Sequence, residues 1–250
     1  MSGKVSSPDS HQGGHLIQAE WHSFTAFVRK PVLPARASGF SGPAAASVLR
    51  LFMLDLILMT VLIGAALAAS RLGFAMPDTA LGNMELSLPL IALVVLGAPV
   101  VEELLFRGWL SGRPAHVAPY LIGIAAALLG AVIMRASGWP QPYVAAALGV
   151  AAIIAAAVGA WALRGRPPFG WFQRHFRWFY YLSTIAFAAV HLSNYDESSP
   201  FVLLLVIPQA LAGLIFGFAR VIYGLWANIA LHILHNSTFI SLALISAELT

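Results

Sequence analysis

No cysteine occurs in the 250-residue chain, which excludes disulfides, thiolate zinc ligands and a cysteine nucleophile together. Charge is scarce as well. Asp, Glu, Lys and Arg make up 10% of the residues and hydrophobic residues 59%, against about 25% and 45–50% in soluble domains. With a mean hydropathy of +0.81, this composition excludes an ordinary soluble domain and describes an all-α, polytopic transmembrane helical bundle. No apolar h-region precedes Pro31, so the start of the chain lacks a cleavable-signal pattern. Internal repeats and Gly/Ser linkers are also missing, which makes residues 51–250 a single transmembrane domain behind an N-terminal segment, 1–50. The net charge of +4 does not point to nucleic acid, because the basic residues fall almost wholly in short segments between apolar runs.

Those runs number about seven: Leu51–Ala69, Leu86–Leu110, Ala118–Met134, Tyr143–Leu163, Trp178–Asn194, Phe201–Phe218 and Val221–Leu244. Each approaches the roughly 20 residues that a spanning helix needs. If the N-terminus is cytoplasmic, 12 of the 14 basic residues fall on the inner side and only Arg71 and Arg135 on the outer. Asp78, Glu85, Asp196, Glu197 and Glu248 gather outside. The positive-inside rule therefore gives an N-in, C-out integral membrane protein, as in a bacterial inner or plasma membrane.

Ile17, Trp21, Phe24 and Val28 recur at helical spacing, which predicts an amphipathic helix lying on the membrane surface, with a solvated tail as the competing reading. His11, His15 and His22 have no ligand logic in their spacing. The segment Arg164–Arg177 reads as a cytoplasmic loop with an interfacial aromatic belt.

Three polar constellations interrupt the apolar runs. Glu102 and Glu103 are adjacent, and Arg107 follows Glu103 by four residues. Glu103 thus shares a helical face with Arg107, while Glu102 is turned about 100° away and free to act. His191 stands four residues after Phe187, and His232 four before Asn236. At 1.5 Å per residue, Glu102, His232 and His191 lie roughly 12, 16 and 20 Å into their spans, in the middle third of a hydrocarbon core about 30 Å thick. Carboxylates at that depth cost about 2.5–3.5 kcal/mol and face a protein interior where they do chemistry or transport. Asp55 is expected to pair with Arg50 or reach the interface. Gln209 and Asn228 are expected to hydrogen-bond between helices, Gly213 and Gly217 to allow close packing inside the bundle, and His235 to pack or to take an interfacial role.

A carboxylate, two imidazoles and a carboxamide suit water activation with stabilisation of an oxyanion, and peptide hydrolysis needs both. The competing motifs of membrane proteases, HExxH, GxGD and GxSxG, do not occur, nor does a phosphate-binding glycine loop.

The ordered set EELLFRG (Glu102–Gly108), FxxxH (Phe187–His191) and HxxxN (His232–Asn236), spread over three hydrophobic helices, resembles the three motifs of the CAAX protease and bacteriocin-processing family. That family is also called the type II CAAX prenyl endopeptidase or Abi family of intramembrane glutamic proteases. The resemblance runs from about Leu90 to Leu244. It implies that Glu102 activates water, that Glu103 and Arg107 support and orient the site, that His191 completes the water-binding group, and that His232 and Asn236 serve the oxyanion. It also implies an intramembrane endopeptidase without a metal or other cofactor. Its partners would be membrane lipids and peptide or protein substrates, prenylated CaaX proteins or bacterial peptides among them.

Two other classes compete. A zinc metalloprotease could use Glu102, His191 and His232 as ligands, since one Glu and two His with an open position form a catalytic zinc set; their scattered spacing speaks against it. A non-catalytic protein, either a peptide-binding self-immunity factor or a proton-coupled transporter, could use the same residues. The lack of repeated halves disfavours the transporter.

Overall fold

The structure is a computed structural model that describes residues 9–74, 86–136, 141–195 and 201–248. Lys4, Asp78, Glu85, Asp196 and Glu197 lie outside the described residues, as do the side chains of His11, His15 and Glu248. Among the described residues the extended secondary-structure elements are helices. They are α1 (Asp9–Arg29), α2 (Gly42–Arg71), α3 (Leu88–Ala92), α4 (Ala98–Arg107), α5 (Pro114–Ala136), α6 (Gln141–Leu163), α7 (Gly170–Arg174), α8 (Phe176–Val190), α9 (Val202–Leu205), α10 (Ile207–Ile222) and α11 (Leu225–Glu248).

Among the described residues, six helical stretches are long and apolar enough to cross a membrane: Gly42–Arg71, Leu88–Ser111, Pro114–Ala136, Pro142–Leu163, Val202–Ile222 and Leu225–Ser246. The remaining expected span, Trp178–Asn194, is a 15-residue helix continued by a 3-10 turn at His191–Asn194, one short of the count of seven. Large apolar side chains such as Leu121, Ile124, Leu128, Ile153 and Val158 are exposed along these helices. Surface of that kind requires lipid, and the protein is an integral membrane protein.

The chain divides into two compact units, residues 1–107 with 180–250 and residues 108–179. The second holds the α5–α6 hairpin and a cluster in which the rings of Phe172 and Phe179 stack at 4.2 Å. Gly112 there has φ +63°, a conformation that favours glycine, and a Cβ on it would meet the Phe172 ring at 2.5 Å. The aromatic residues of 164–177 are therefore only partly outward-facing: Trp171 is exposed and Phe172 buried.

In the first unit, α11 packs on α2, α4 and α10, α2 packs on α10, and α1 packs on α2 and α10. The apolar face of α1 turns towards protein, with Phe24 buried and Ile17, Trp21 and Val28 partly buried. Phe24 is buried against Phe218 in the core, Trp21 donates its indole N–H to the Arg50 carbonyl, and the Tyr181 hydroxyl donates to the Val28 carbonyl. Glu20 forms an ion pair with Arg50 at 3.5 Å and accepts a hydrogen bond from the Tyr223 hydroxyl at 2.5 Å. Burial, with the Glu20 carboxylate in second place, pushes the Tyr223 phenol up to about 12, so it stays a neutral O–H donor at physiological pH. Replacing Tyr223 with Phe should loosen α1 at a cost of about 1 kcal/mol, seen as faster amide exchange in residues 17–28 while α11 is unchanged.

The Gly213–Gly217 pair works inside the unit, as its spacing implies. A Cβ at Gly217 would come within 2.8 Å of the Tyr180 ring, whose hydroxyl donates to the Leu214 carbonyl at 2.7 Å. Gly217→Ala should therefore lower stability by about 1–3 kcal/mol through overpacking, measured as thermal unfolding in detergent.

Candidate active site

The long span Leu88–Ser111 is not a uniform α-helix. Leu93–Gly97 forms a π-helical turn in which the Ala98 N–H bonds the Leu93 carbonyl. In that register the next donor, for Val94, would be the N–H of residue 99, and residue 99 is proline. The freed Val94 carbonyl accepts instead from Asn236 Nδ2 of α11 at 2.8 Å. A proline in one span thus fixes the docking of a motif residue from another, and the π turn sits at the entry to the acidic pair, where such turns often mark functional sites.

Beyond it, α4 carries Glu102, Glu103 and Arg107. Glu103 and Arg107 are fully buried, and the Arg107 Nη1 donates to Glu103 Oε1 at 2.5 Å. The guanidinium also lies over the Phe187 ring, 4.2 Å from its centroid, a favourable cation–π placement. Gly213 makes the room: a Cβ there would stand 3.2 Å from Arg107 Nη2. Glu103 further accepts from Asn228 Nδ2 through Oε2, and its Oε1 lies 2.8 Å from His232 Nδ1. The expected i,i+4 pair is present, and Glu103 holds three partners in all.

Asn228 is the residue that sequence reasoning left outside the site. It does bridge two helices, and the group it meets is the buried carboxylate. The signal was its spacing: Asn228, His232 and Asn236 recur every four residues and share one face of α11.

Glu102 is placed differently. Its side chain remains 29% exposed, and Oε2 lies 3.8 Å from His232 Nε2, beyond direct hydrogen-bond range. His232 therefore stands between the two glutamates, one ring nitrogen towards each. With Nδ1 on a carboxylate that is already paired with arginine, Nδ1 is the protonated nitrogen. His191, in the 3-10 turn after α8, holds its Nδ1 2.7 Å from the Phe187 carbonyl. A carbonyl only accepts, so this Nδ1 also carries the proton and Nε2 offers a lone pair.

His191, His232 and Asn236 line one cavity of about 180 Å³, together with Gln209 and His235. Glu102 is not among its lining residues; it reaches the cavity's edge through His232. His235 does not merely pack: its Nδ1 lies 2.7 Å from Asp55 Oδ2. That contact corrects the expected pairing of Asp55 with Arg50, which bonds Glu20 and Ser47 instead. Asp55 is fully buried, and the turn of α2 that carries it faces α11 and not the interface. Among the described residues, no group of three or more His, Cys, Asp or Glu side chains is arranged to hold a metal ion.

Fold and site together define a polytopic membrane protein with a buried Glu–Arg–His–Asn network opening on a small polar cavity. Residues 84–238, more than half of the chain, match the model of the Rce1-like type II CAAX prenyl endopeptidases, and the chain belongs to that family. Membership implies an intramembrane protease acting on peptide substrates. No curated protein and no solved structure matches the chain.

Proposed function

We propose that the protein is an intramembrane endopeptidase in which Glu102 activates water for attack on a peptide carbonyl. The observation that carries this reading is the unequal placement of the two glutamates. Glu103 is sealed and saturated by Arg107, His232 and Asn228, whereas Glu102 is partly exposed and faces the free nitrogen of His232. A carboxylate with three fixed partners braces; one with an open oxygen can take a proton.

In this reading water sits between Glu102 and the His191 lone pair. Glu102 removes its proton as the oxygen attacks, and the tetrahedral oxyanion forms beside α11. Asn236 keeps one Nδ2 hydrogen for it after bonding Val94. His232 donates from Nε2 once that nitrogen is protonated, which Glu102, 3.8 Å away, can bring about. Stabilising the oxyanion with donors fixed before the reaction is worth about 2.7–4 kcal/mol per donor. In this reading the N-terminus is cytoplasmic, as in a bacterial inner or plasma membrane protein whose basic residues favour the inner side, and the substrates are CaaX-type or other membrane-associated peptides, lipidated ones included.

The test is cleavage of a lipid-anchored reporter peptide by purified protein in liposomes, run in ¹⁸O-water with and without a strong chelator. Direct attack by water predicts one solvent oxygen in the new carboxylate and an unchanged rate in chelator. Stoichiometric zinc together with loss of activity in chelator would instead establish the zinc reading of Glu102, His191 and His232.

A further inference from the structure

The proposed hydrolysis still lacks an assigned donor for the proton that the leaving amine needs. We infer that His235, oriented by Asp55, donates that proton, so that a second acid–base pair from outside the family motifs completes the site.

Three observations carry this. His235 lines the same cavity as His191, His232 and Asn236, so its ring reaches the space a scissile bond would occupy. Its Nδ1 is held 2.7 Å from Asp55 Oδ2, which orients the ring and leaves Nε2 as the nitrogen available to the cavity. A carboxylate fixed on Nδ1 is also the arrangement found in Asp–His couples that handle protons. Lastly, Asp55 is fully buried, and its Oδ1 has no hydrogen-bond partner among the described residues. A buried carboxylate with one oxygen unsatisfied is costly, and a packing role for His235 gives no reason to keep it. Asp55 lies outside residues 84–238 and His235 inside them, so half of this couple comes from beyond the matched region.

The groups face one another across helices. Asp55 comes from α2, and His235 is on α11, one turn from His232. The two imidazoles are 6.4 Å apart and nearly perpendicular, and Phe216 contacts both, stacked on His232 and edge-on to His235. This arrangement keeps two proton-handling rings distinct, His232 towards the carboxylates of α4 and His235 towards that of α2.

The step balances. Water loses one proton to Glu102 and forms the C–O bond. As the C–N bond breaks, its electron pair stays on nitrogen, which takes the Nε2 proton of the His235 imidazolium. The products are a carboxylic acid and an amine, leaving the water's proton on the Glu102–His232 pair and His235 neutral. Proton exchange with solvent resets both.

The inference rests on the proposed hydrolysis, and its test separates the two. A lipid-anchored reporter peptide is compared with its counterpart in which the scissile amide is a thioester, whose thiolate leaves without a proton. His235→Ala should slow the peptide by about 10²–10⁴-fold, the range of general acid catalysis, and the thioester far less. Asp55→Asn, which keeps the ring in place, should show the same selectivity with a smaller factor. Equal loss on both substrates, or no loss on the peptide, would overturn the assignment. Thermal unfolding is recorded alongside, and if His235→Ala unfolds, Asp55→Asn and His235→Gln decide by the same ratio. Glu102→Gln is the control for the underlying reading: it should lose both substrates, and full activity there would overturn the hydrolysis itself, whatever the His235 ratio.

Discussion

Glu102→Gln should abolish peptide cleavage, by about 10²–10⁴-fold or more if it is the general base, while leaving the unfolding temperature within a degree or two of the parent (about 0.5 kcal/mol at most, as for a residue outside the packed network). The substitution is nearly isosteric and removes only the ability to take a proton. Its side chain is partly exposed and makes no hydrogen bond among the described residues, with His232 Nε2 3.8 Å away. Little folding free energy is therefore at stake. Cleavage of a reporter peptide in liposomes, read beside thermal unfolding in detergent, checks both halves. A fully active Glu102→Gln would sink the assignment. If a cellular phenotype survives in a cleavage-dead Glu102→Gln protein, the cavity serves binding and not hydrolysis.

Arg107→Ala should do the opposite to stability. The guanidinium is fully buried and bonded to Glu103, so its removal leaves a buried carboxylate with only His232 and Asn228 against it, at a cost of about 3–5 kcal/mol. It also leaves a cavity beside Phe187 and Gly213. Activity should fall with stability, because a relaxed Glu103 no longer fixes His232, which in turn faces Glu102. Arg107→Lys should recover part of the loss and no more, since a point charge cannot repeat the planar fork over the Phe187 ring. Equal stability of the Arg107→Ala and Glu102→Gln proteins with equal loss of activity would mean that Arg107 contacts substrate and that its bracing role is wrong. The measurements are thermal unfolding and cleavage of one reporter peptide for all three variants.

These two outcomes diverge for a reason that was legible locally. Adjacent residues on a helix diverge by about 100° and residues four apart align, so the split between Glu102 and the Glu103–Arg107 pair follows from the EExxxR spacing alone. The apolar spans were legible for a similar reason, since burial in lipid imposes length and composition on a contiguous stretch. Trp178–Asn194 fell short of a full span because the helix tightens into a 3-10 turn at His191, a local change that hydropathy does not register.

What the sequence determined by itself is therefore what neighbours along one helix decide: the helical membrane class, the motif faces, the Glu103–Arg107 pair and the close-packing role of Gly213 and Gly217. Only the tertiary structure decided which helix each face meets. Asn228 reaches Glu103 across 125 residues of sequence, and His235 reaches Asp55 across 180. The apolar stripe of α1 reads equally well as a lipid-facing surface, yet it packs on α2 and α10. Asn236 is tied to Val94 because Pro99 leaves that carbonyl without a donor. The physical reason is common to the three polar cases: a buried polar group must find a partner, but spacing along the chain fixes only the direction in which it looks, and the packing of distant helices supplies what it finds.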